Sequence, residues 1–302
     1  MSAAKSGTVA LVGRPNAGKS TLMNRLLGEK LAIVSDKPQT TRHRLVGILT
    51  EERGQMVFYD TPGMHKPAHQ MNRRMVQYAV EALNEADVVC LMVDATTRFG
   101  PGDRYLLDLL ARAQGRKIAA LNKIDRIQKA SLLPLISAYG ETGLFEEIVP
   151  VSALEGENCE LLLDLLWTAL PEGTPIYDDE LFTLHPERFL AAELIREKVL
   201  LETRAELPYT TAVLIEHWEE VEARGLAKIH ASILVERPGQ KAILIGRGGA
   251  TIKKLGTAAR KELEDLLGRK VFLDLRVKHE PRWRENRRLL AGLDRELWPD
   301  GG

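Results

Sequence analysis

Short apolar runs rich in β-branched residues alternate with helix-like segments along the first half of the chain. The runs are TVALVG (8–13), MVFYD (56–60), VVCLMVDA (88–95), KIAALNKID (117–125) and EEIVPVSA (146–153). A segment with apolar residues at helical spacing follows each run, and the first of these segments spans residues 19–27. Repeated strand–helix alternation predicts an α/β domain in which helices cover both faces of a mostly parallel sheet. We therefore expect ligands at the carboxyl ends of the strands.

The pattern changes after a stretch rich in proline, glycine and acidic residues, LPEGTPIYDDELFTLHPER (170–188), which indicates a linker. An amphipathic helix is predicted at 188–203, and extended runs follow at 209–220 and 226–237. The apolar run QKAILIG, a glycine turn, a long helical segment and the strand KVFLDLRVKH come next. The order α-β-β-α-turn-α-β is that of an α+β, prokaryotic-type (type II) KH domain, whose GxxG loop clamps single-stranded nucleic acid.

Composition changes this picture mainly through the distribution of charge. A chain of 302 residues is long for one compact unit, and its 42 basic and 42 acidic residues give a formal net charge of zero. Residues 239–288, however, contain 14 Lys and Arg against 6 Asp and Glu, a local charge of +8 that the rest of the chain balances. This asymmetry indicates a polyanionic partner for the C-terminal half, although a solvated basic face would have the same composition.

Cysteine usage and hydropathy bear on the cellular compartment. Cys90 lies in an apolar run and Cys159 in a helical segment, and neither belongs to a CxxC pair or to a metal-ligand spacing. Two such cysteines are typical of a reduced, intracellular chain. The N-terminus lacks the apolar core of a signal peptide, and no apolar segment approaches the roughly 20 residues of a transmembrane helix. We therefore expect a soluble, cytoplasmic protein that is at most peripherally attached to a membrane.

The segment GRPNAGKS (13–20) matches the phosphate-loop pattern GxxxxGK[ST] between a predicted strand and a predicted helix. Its glycines let backbone N–H groups point at a phosphate, and the start of the helix adds a positive dipole. Lys19 is expected to reach the β- and γ-phosphates of a nucleotide, and the Ser20 hydroxyl is expected to ligate Mg²⁺. The motif therefore predicts a nucleoside triphosphate site.

Two further segments are predicted to act on the same phosphates. DTPG (60–63) ends its own strand, so that Asp60 can hold Mg²⁺ and the Gly63 N–H can sense the γ-phosphate. Between the two motifs lie Thr40 and Thr41, either of which could close over Mg²⁺ when the γ-phosphate is present. Both threonines are candidates, and we favour Thr41.

Met64 and Asn16 bear on hydrolysis. Met64 follows DTPG at the place where signalling GTPases usually have a glutamine that orients the attacking water, and a thioether cannot do this. Hydrolysis is therefore expected to be slow unless backbone groups, a monovalent cation or a partner hold the water. Asn16 resembles the asparagine that ligates K⁺ in related GTPases, and a loop-stabilising asparagine is an equal alternative.

The segment NKID (122–125) identifies the base. Guanine presents two adjacent donors, N1–H and the 2-amino group, and the carboxylate of Asp125 can accept both. Adenine presents an acceptor at N1 and has no 2-amino group, so Asp125 would face a lone pair there. Ser152 and Ala153 end the next strand in VSAL (151–154), where their backbone can donate to guanine O6. The three motifs in this order predict a GTPase.

The predicted nucleotide-site residues fall into three overlapping groups. Those expected to bind GTP are Gly13, Arg14, Pro15, Asn16, Ala17, Gly18, Lys19, Ser20, Thr21, Asp60, Thr61, Pro62, Gly63, Met64, Asn122, Lys123, Asp125, Ser152, Ala153 and Leu154. Those expected to act in hydrolysis are Lys19, Thr41 and Gly63. The expected Mg²⁺ ligands are Ser20, Thr41 and Asp60.

The glycine turn IGRGGATIKKLG (245–256) is predicted to bind a second polyanion. Its GxxG pattern admits a nucleic-acid backbone closely, although a lone GxxG is also a common helix–helix connector. Trp283 lies among arginines in EPRWRENRR (280–288), which suits base stacking, or else it anchors a solvated C-terminal helix. The predicted RNA-binding residues are Gly246, Arg247, Gly248, Gly249, Lys253, Lys254, Arg282 and Trp283.

The whole set of strings resembles the Era family, bacterial KH-domain GTPases of ribosome assembly. The resemblance covers nearly the whole chain through GRPNAGKST, QTTRHR, DTPG, NKID, VSAL, AELPY, ILVER, GQK and the GxxG segment. It implies binding of the 3′ end of small-subunit ribosomal RNA and of the immature 30S ribosomal subunit. It also implies an RNA affinity gated by GTP and GDP, and peripheral association with the cytoplasmic face of the inner membrane. We expect a monomer.

The predicted organisation is a P-loop GTPase domain at 1–172, a linker at 173–188, a type II KH domain at 189–279 and a basic C-terminal tail at 280–302. A tandem-domain ribosome GTPase would need a second GxxxxGK[ST], and the sequence contains none. The alternative that stays open is an RNA-binding module that uses GTP only structurally, without significant turnover, because Met64 removes the usual catalytic aid.

Overall fold

The computed structural model describes residues 4–37, 39–64, 70–204 and 206–297, so residues 298–302 of the predicted tail lie outside it. The chain divides into two compact units, of which the first ends at Leu184 and the second contains all residues from His185 onward. Within the described ranges, no helix has the length and the hydropathy of a membrane-spanning segment.

The first unit is built on a six-stranded sheet. Its strands are β1 (Lys5–Gly13), β2 (Leu45–Glu51), β3 (Gly54–Asp60), β4 (Val88–Asp94), β5 (Arg116–Asn122) and β6 (Glu147–Val151). Its helices are α1 (Lys19–Leu27), α2 (Gln70–Glu85), α3 (Pro101–Leu110), α4 (Leu132–Gly140) and α5 (Cys159–Ala169). The strand order is β2-β3-β1-β4-β5-β6, in which β2 is antiparallel to β3 and the other neighbours are parallel. The predicted α/β fold is confirmed.

The strands of this sheet are apolar along both faces. Residues 9–13 of β1 and residues 88–93 of β4 are all buried, without the alternation of a half-exposed strand. Parallel strands joined by crossover helices are buried in this way because helices cover each face. Since β1, β3, β5 and β6 run in the same direction, their carboxyl ends meet at one edge of the sheet. That edge carries the phosphate loop, DTPG, NKID and VSAL.

The second unit has the element order that the sequence predicted. It comprises α6 (Glu187–Glu202), β7 (Thr211–Val221), β8 (Leu226–Val235), α7 (Pro238–Ile245), α8 (Ala250–Leu267), β9 (Lys270–His279) and α9 (Arg287–Leu297). In the three-stranded sheet β7-β8-β9, β7 is antiparallel and β9 is parallel to the central β8. Its apolar core includes Ile195 of α6, Ile229 of β8 and Leu263 of α8. The predicted α+β KH architecture is confirmed.

The segment predicted as a linker is held along the edge of the first sheet. Gln55 on β3 is fully buried, and its Oε1 accepts hydrogen bonds from the N–H groups of Ile176 and Tyr177, both at 2.8 Å. The N–H of Ile48 on β2 donates to the carbonyl of Phe182 at 2.9 Å. Much of the segment is therefore fixed to the first unit, and α6 begins before the predicted linker ends.

Candidate functional site

A cavity of about 360 Å³ opens at the carboxyl edge of the first sheet. The predicted residues that line it are Pro15, Asn16, Gly18, Lys19, Ser20, Thr21, Thr41, Gly63, Asn122, Lys123, Asp125, Ala153 and Leu154. Those that do not line it are Gly13, Arg14, Ala17, Asp60, Thr61, Pro62, Met64 and Ser152. Residues 33–36, Gln39, Thr40 and Arg126 complete the wall, and of these only Thr40 was predicted from the sequence, as a candidate Mg²⁺ ligand. The cavity brings the predicted motifs together.

Lys19 begins α1 and reaches back over the phosphate loop. Its side chain is buried, and Nζ donates to the carbonyl oxygens of Gly13 at 3.4 Å and of Arg14 at 3.2 Å. Burial lowers the pKa of Lys19, and the negative charge of Asp60 acts in the opposite direction. A buried ammonium that donates to neutral carbonyl groups is stabilised in its charged form by a nearby anion. The surroundings of Lys19 therefore suit a nucleotide phosphate.

Ser20, Thr41 and Asp60 form one polar cluster beside Lys19. Ser20 Oγ lies 2.6 Å from Asp60 Oδ2 and 2.9 Å from Thr41 Oγ1. Thr41 Oγ1 lies 3.3 Å from the same carboxylate oxygen. Thr40 turns elsewhere, because its hydroxyl donates to the carbonyl of Lys37 at 2.6 Å. The geometry therefore favours Thr41 over Thr40 as the threonine that joins this cluster.

This cluster has the chemistry of a magnesium site. Asp60 Oδ1 is buried and finds no hydrogen-bond partner among the described residues. Burial raises the pKa of Asp60, while Lys19, Ser20 and Thr41 lower it in part. A buried carboxylate and two hydroxyls offer the hard oxygen ligands that Mg²⁺ prefers. A divalent cation would stabilise the ionised carboxylate and satisfy its unpaired oxygen, so these residues fit the metal.

Met64 is packed in the core of the first unit. Its side chain is 3% exposed and belongs to the apolar cluster that includes Ala79 and Leu106, and its N–H donates to the carbonyl of Gly13 at 3.1 Å. Gly63 lies tight against the phosphate loop, where a Cβ would come within 2.6 Å of Pro15 Cα. The position after DTPG therefore supplies no polar side chain to the cavity, as the thioether indicated.

Asn122 and Asp125 hold the loop at the base end of the cavity. Asn122 Nδ2 donates to the carbonyl of Ala17 at 2.8 Å, and its Oδ1 accepts from the N–H of Ala153 at 2.9 Å. Ser152 Oγ donates to Asp125 Oδ1 at 2.6 Å. Asp125 Oδ2 accepts no hydrogen bond from the described residues and lies 3.9 Å from Arg126 Nε, and Asp125 lines the cavity. The carboxylate is thus oriented by one oxygen, with the second available to a base.

Lys123 and Asn16 make contacts that shape neighbouring loops. Lys123 Nζ lies 2.5 Å from Asp94 Oδ2, which joins the ends of β5 and β4. Asn16 Nδ2 donates to the carbonyl of Asp36 at 2.6 Å, as a loop-stabilising asparagine would. Asn16 Oδ1 accepts no hydrogen bond from the part of the chain that the structure describes. The amide nitrogen therefore has a structural contact, and the amide oxygen has none.

In the second unit, the predicted GxxG loop joins α7 to α8. Gly246, Gly248 and Gly249 have φ values of 73°, 60° and 80°, in the left-handed region that favours glycine. A Cβ at Gly246 would lie 2.2 Å from Thr251 Oγ1, whereas a Cβ at Gly248 or Gly249 would meet open space. The turn before the long helix α8 is therefore open at Gly248 and Gly249. Backbone N–H groups and the helix dipole favour an anion there.

A cleft of about 310 Å³ lies between α8 and the edge strand β9. Its lining consists of Ile252, Lys253, Gly256, Thr257, Arg260, Leu273 and Leu275. Apolar walls with two cations suit the bases and phosphates of a single strand. Of these residues only Lys253 was predicted from the sequence to bind RNA. Leu273 and Leu275 lie two residues apart on β9, but the same spacing describes an ordinary core.

The predicted cations of this unit differ in their partners. Lys254 Nζ lies 2.7 Å from Glu202 Oε2, so its charge is partly compensated. Arg247 and Lys253 form no ion pair with the described residues. Arg282 is exposed, with a left-handed backbone φ of 54°. Arg247, Lys253 and Arg282 therefore keep their charges available for a polyanion.

The prediction that Trp283 stacks on RNA bases is wrong. Its side chain is 0% exposed, and Nε1 donates to the carbonyl of Thr210 at 2.8 Å. A ring without solvent exposure has no face to offer to a base. Arg284, next to it, pairs with Glu236 at 2.5 Å. Trp283 is thus the anchor of the C-terminal segment, which was the alternative interpretation.

Comparison with known families agrees with both halves of the chain. Residues 8–123 match the family described as 50S ribosome-binding GTPase, and residues 206–284 match the KH domain family. The chain is 47% identical to GTPase Era of Geobacter metallireducens over 289 residues, which cover 96% of this chain and 97% of the relative. It is 46% identical to GTPase Era of Syntrophus aciditrophicus, with 95% and 94% covered.

Solved structures give the same result. A variant of Aquifex aeolicus Era bound to GDP·AlF4⁻ is 40% identical and matches with a TM-score of 0.93, covering 96% of this chain and 98% of that one. A structure of Era in complex with MgGDPNP and nucleotides 1506–1542 of 16S ribosomal RNA is 39% identical, with a TM-score of 0.93 and the same coverage. Near-complete coverage of each relative extends the match to both units and to the segment between them. The chain therefore belongs to the Era family of GTPases.

Proposed function

We propose that the chain hydrolyses GTP slowly and binds the 3′ end of small-subunit ribosomal RNA through its KH domain, and that it thereby assists maturation of the 30S subunit. The observation that supports this most is the match, at a TM-score of 0.93 over 96% of the chain, to an Era structure that holds both MgGDPNP and nucleotides of 16S ribosomal RNA. The nucleotide cavity and the cleft beside the GxxG loop offer the two sites that this function needs. RNA affinity depends on whether GTP or GDP is bound.

Hydrolysis in this proposal depends on positioned groups around the phosphates. Lys19 contacts the β- and γ-phosphates, and the Gly63 N–H contacts the γ-phosphate. Ser20, Thr41 and Asp60 would hold Mg²⁺, which neutralises phosphate charge when it is bound. Because the Met64 side chain is buried in the core, it does not orient the attacking water. Turnover by the protein alone is therefore slow.

The proposal extends to a monovalent cation and to cellular context. Asn16 ligates K⁺ through Oδ1, and the support for this is that Oδ1 accepts no hydrogen bond from the described residues. The protein is a cytoplasmic monomer, and a fraction of its molecules associates peripherally with the cytoplasmic face of the inner membrane. Support for these last points is the resemblance of the chain to the Era family over its whole length.

GTP turnover, measured with and without K⁺ and with and without an RNA of the 16S 3′ end, separates this function from its alternative. We expect slow turnover by the protein alone and faster turnover when K⁺ or RNA is added. Na⁺ at the same ionic strength is the control for K⁺. If GTP binds but is not hydrolysed under any of these conditions, the alternative function applies. The chain would then be an RNA-binding module that uses GTP only structurally.

The Gly249→Asp variant is expected to bind RNA about 10-fold more weakly or worse, with its GTP and GDP affinities unchanged. Position 249 has a φ of 80° and open space around it, so the new carboxylate stands at the start of α8. There it repels the RNA phosphate that the turn is proposed to bind. Fluorescence anisotropy with a labelled RNA and with a labelled guanine nucleotide measures both affinities.

Gly268→Asp is the matched control for Gly249→Asp. Gly268 ends the same 18-residue helix, has a φ of 63° and also faces open space. The two positions impose the same left-handed backbone and the same added charge at opposite ends of a helix roughly 27 Å long. RNA affinity should fall only for Gly249→Asp. Equal losses in both variants would attribute the effect to backbone strain and contradict the proposed clamp.

A further inference from the structure

Arg25 connects the phosphate-binding helix to the loop at the base end of the cavity. It lies on α1, which begins with Lys19. Its Nε donates to the carbonyl of Ala153 at 3.3 Å, and its Nη2 donates to the carbonyl of Leu154. Gly156 lies next to the guanidinium, since a Cβ there would be in ordinary contact with Nη1, at 3.5 Å. One cation therefore holds two successive carbonyls of a loop that lines the nucleotide cavity.

The N–H groups of the same loop have different partners. The Ala153 N–H donates to Asn122 Oδ1 at 2.9 Å, and the Glu155 N–H donates to Ser152 Oγ at 3.1 Å. The Leu154 N–H donates to no acceptor in the described part of the chain. Leu154 also lines the cavity. Of these three successive donors, the Leu154 N–H is thus the one available to a ligand, whereas the sequence predicted Ser152 and Ala153 as the donors to O6.

Peptide geometry links this donor to Arg25. No described peptide bond is cis, so the bond between Ala153 and Leu154 is trans. In a planar trans peptide the carbonyl and the N–H point in opposite directions. Because Arg25 holds the Ala153 carbonyl on the side of α1, it also fixes the Leu154 N–H on the side away from α1. Loss of the guanidinium would free this peptide plane to rotate.

We propose that Arg25 is a positioning residue for guanine recognition, which presents the Leu154 N–H to O6 of the base. Asp125 reads neighbouring positions on the same Watson–Crick edge of guanine, since its carboxylate is expected to accept from N1–H and the 2-amino group. The inference deepens the proposed binding of GTP and rests on it. Arg25 is exposed, so its replacement leaves no buried charge without a partner and is not expected to disturb folding.

The test compares three nucleotides in wild type, Arg25→Ala and Arg25→Lys. 6-Thio-GTP replaces O6 with a sulfur, which is a weak acceptor, whereas ITP lacks only the 2-amino group. Displacement of a fluorescent GDP analogue gives the dissociation constants. Arg25→Ala should weaken GTP binding by about 3- to 10-fold and lower the preference for GTP over 6-thio-GTP by the same factor. Its preference for GTP over ITP should be unchanged, because Asp125 reads the 2-amino group.

Arg25→Lys should restore part of the affinity and of the preference, because an ammonium can donate to one of the two carbonyls. Arg112→Ala removes another exposed arginine of the same unit and should leave all three dissociation constants unchanged. Thermal unfolding confirms that each variant is folded.

Three results would overturn the inference alone. Equal weakening of all three nucleotides in Arg25→Ala would show a merely structural role. Unchanged affinities in Arg25→Ala would remove its positioning role, and a wild type that does not prefer GTP over 6-thio-GTP would remove the O6 contact. Failure of the wild-type protein to bind any of the three nucleotides would instead overturn the proposed function together with this inference, so the two failures can be told apart.

Discussion

The Asp125→Asn variant is expected to prefer xanthosine triphosphate to GTP. Asparagine keeps one acceptor oxygen and presents an amino group in place of the second oxygen. Xanthine carries a carbonyl where guanine carries its 2-amino group, so the new donor and the new acceptor match. The guanine 2-amino group would meet another donor and stay unpaired in a closed pocket. We expect GTP affinity to fall by about 100-fold or more, since a charged hydrogen bond is lost and a buried donor is left unsatisfied.

The surroundings of Asp125 permit this exchange. Ser152 Oγ donates to Asp125 Oδ1 at 2.6 Å, and an asparagine oxygen can accept the same bond. The loop should therefore keep its place, and the change should act on base choice alone. Dissociation constants for GTP, XTP and ITP measure it, with Asp108→Asn on the exposed face of α3 as the control. Retained selectivity for GTP over XTP would remove Asp125 from the base pocket.

The Lys19→Ala variant is expected to bind GTP and GDP at least about 100-fold more weakly than the wild type, because charge-assisted hydrogen bonds to two phosphates are lost together. The side chain is buried beside the phosphate loop. Burial removes water from the ammonium and lowers the pKa of Lys19, and a bound phosphate would replace the lost interactions with water. Displacement of a fluorescent nucleotide measures the loss, and thermal unfolding without nucleotide shows that the fold persists.

Lys117→Ala is the matched control for Lys19→Ala. Lys117 Nζ also donates to two backbone carbonyls, those of Ala113 at 2.8 Å and of Gly115 at 2.9 Å. It lies near the start of β5, however, whereas the cavity lies at the end of that strand. Nucleotide affinity should be unchanged in this variant. A similar loss in both variants would show that lysine–carbonyl contacts matter for folding rather than for phosphate binding.

The fold could be predicted because strand–helix alternation and motif position obey the same constraint. In a parallel sheet the motifs that end successive strands must share an edge, so GRPNAGKS, DTPG, NKID and VSAL were expected at one place. The choice of Thr41 was less determined, since two adjacent threonines carry the same chemistry. The structure separates them by the contact of Thr40 with the carbonyl of Lys37.

What the sequence could not supply depends on burial and on backbone direction. Trp283 among arginines has the composition of a stacking site, yet its indole is buried and bonded to Thr210. Arg25 has no motif, because it acts on carbonyl groups that every residue has. Leu273 and Leu275 alternate as core residues do, although they line a cleft. In each case tertiary contacts decide the role of a side chain that local pattern leaves open.

The most direct test of the account is the affinity of the protein for an RNA of the 16S 3′ end in its two nucleotide states. Anisotropy titrations would use a non-hydrolysable GTP analogue or GDP, each with Mg²⁺, at several salt concentrations, since phosphate contacts make affinity depend on salt. The account predicts RNA binding that is about 10-fold tighter with the GTP analogue at every salt concentration. Equal RNA affinity in the two states would contradict it.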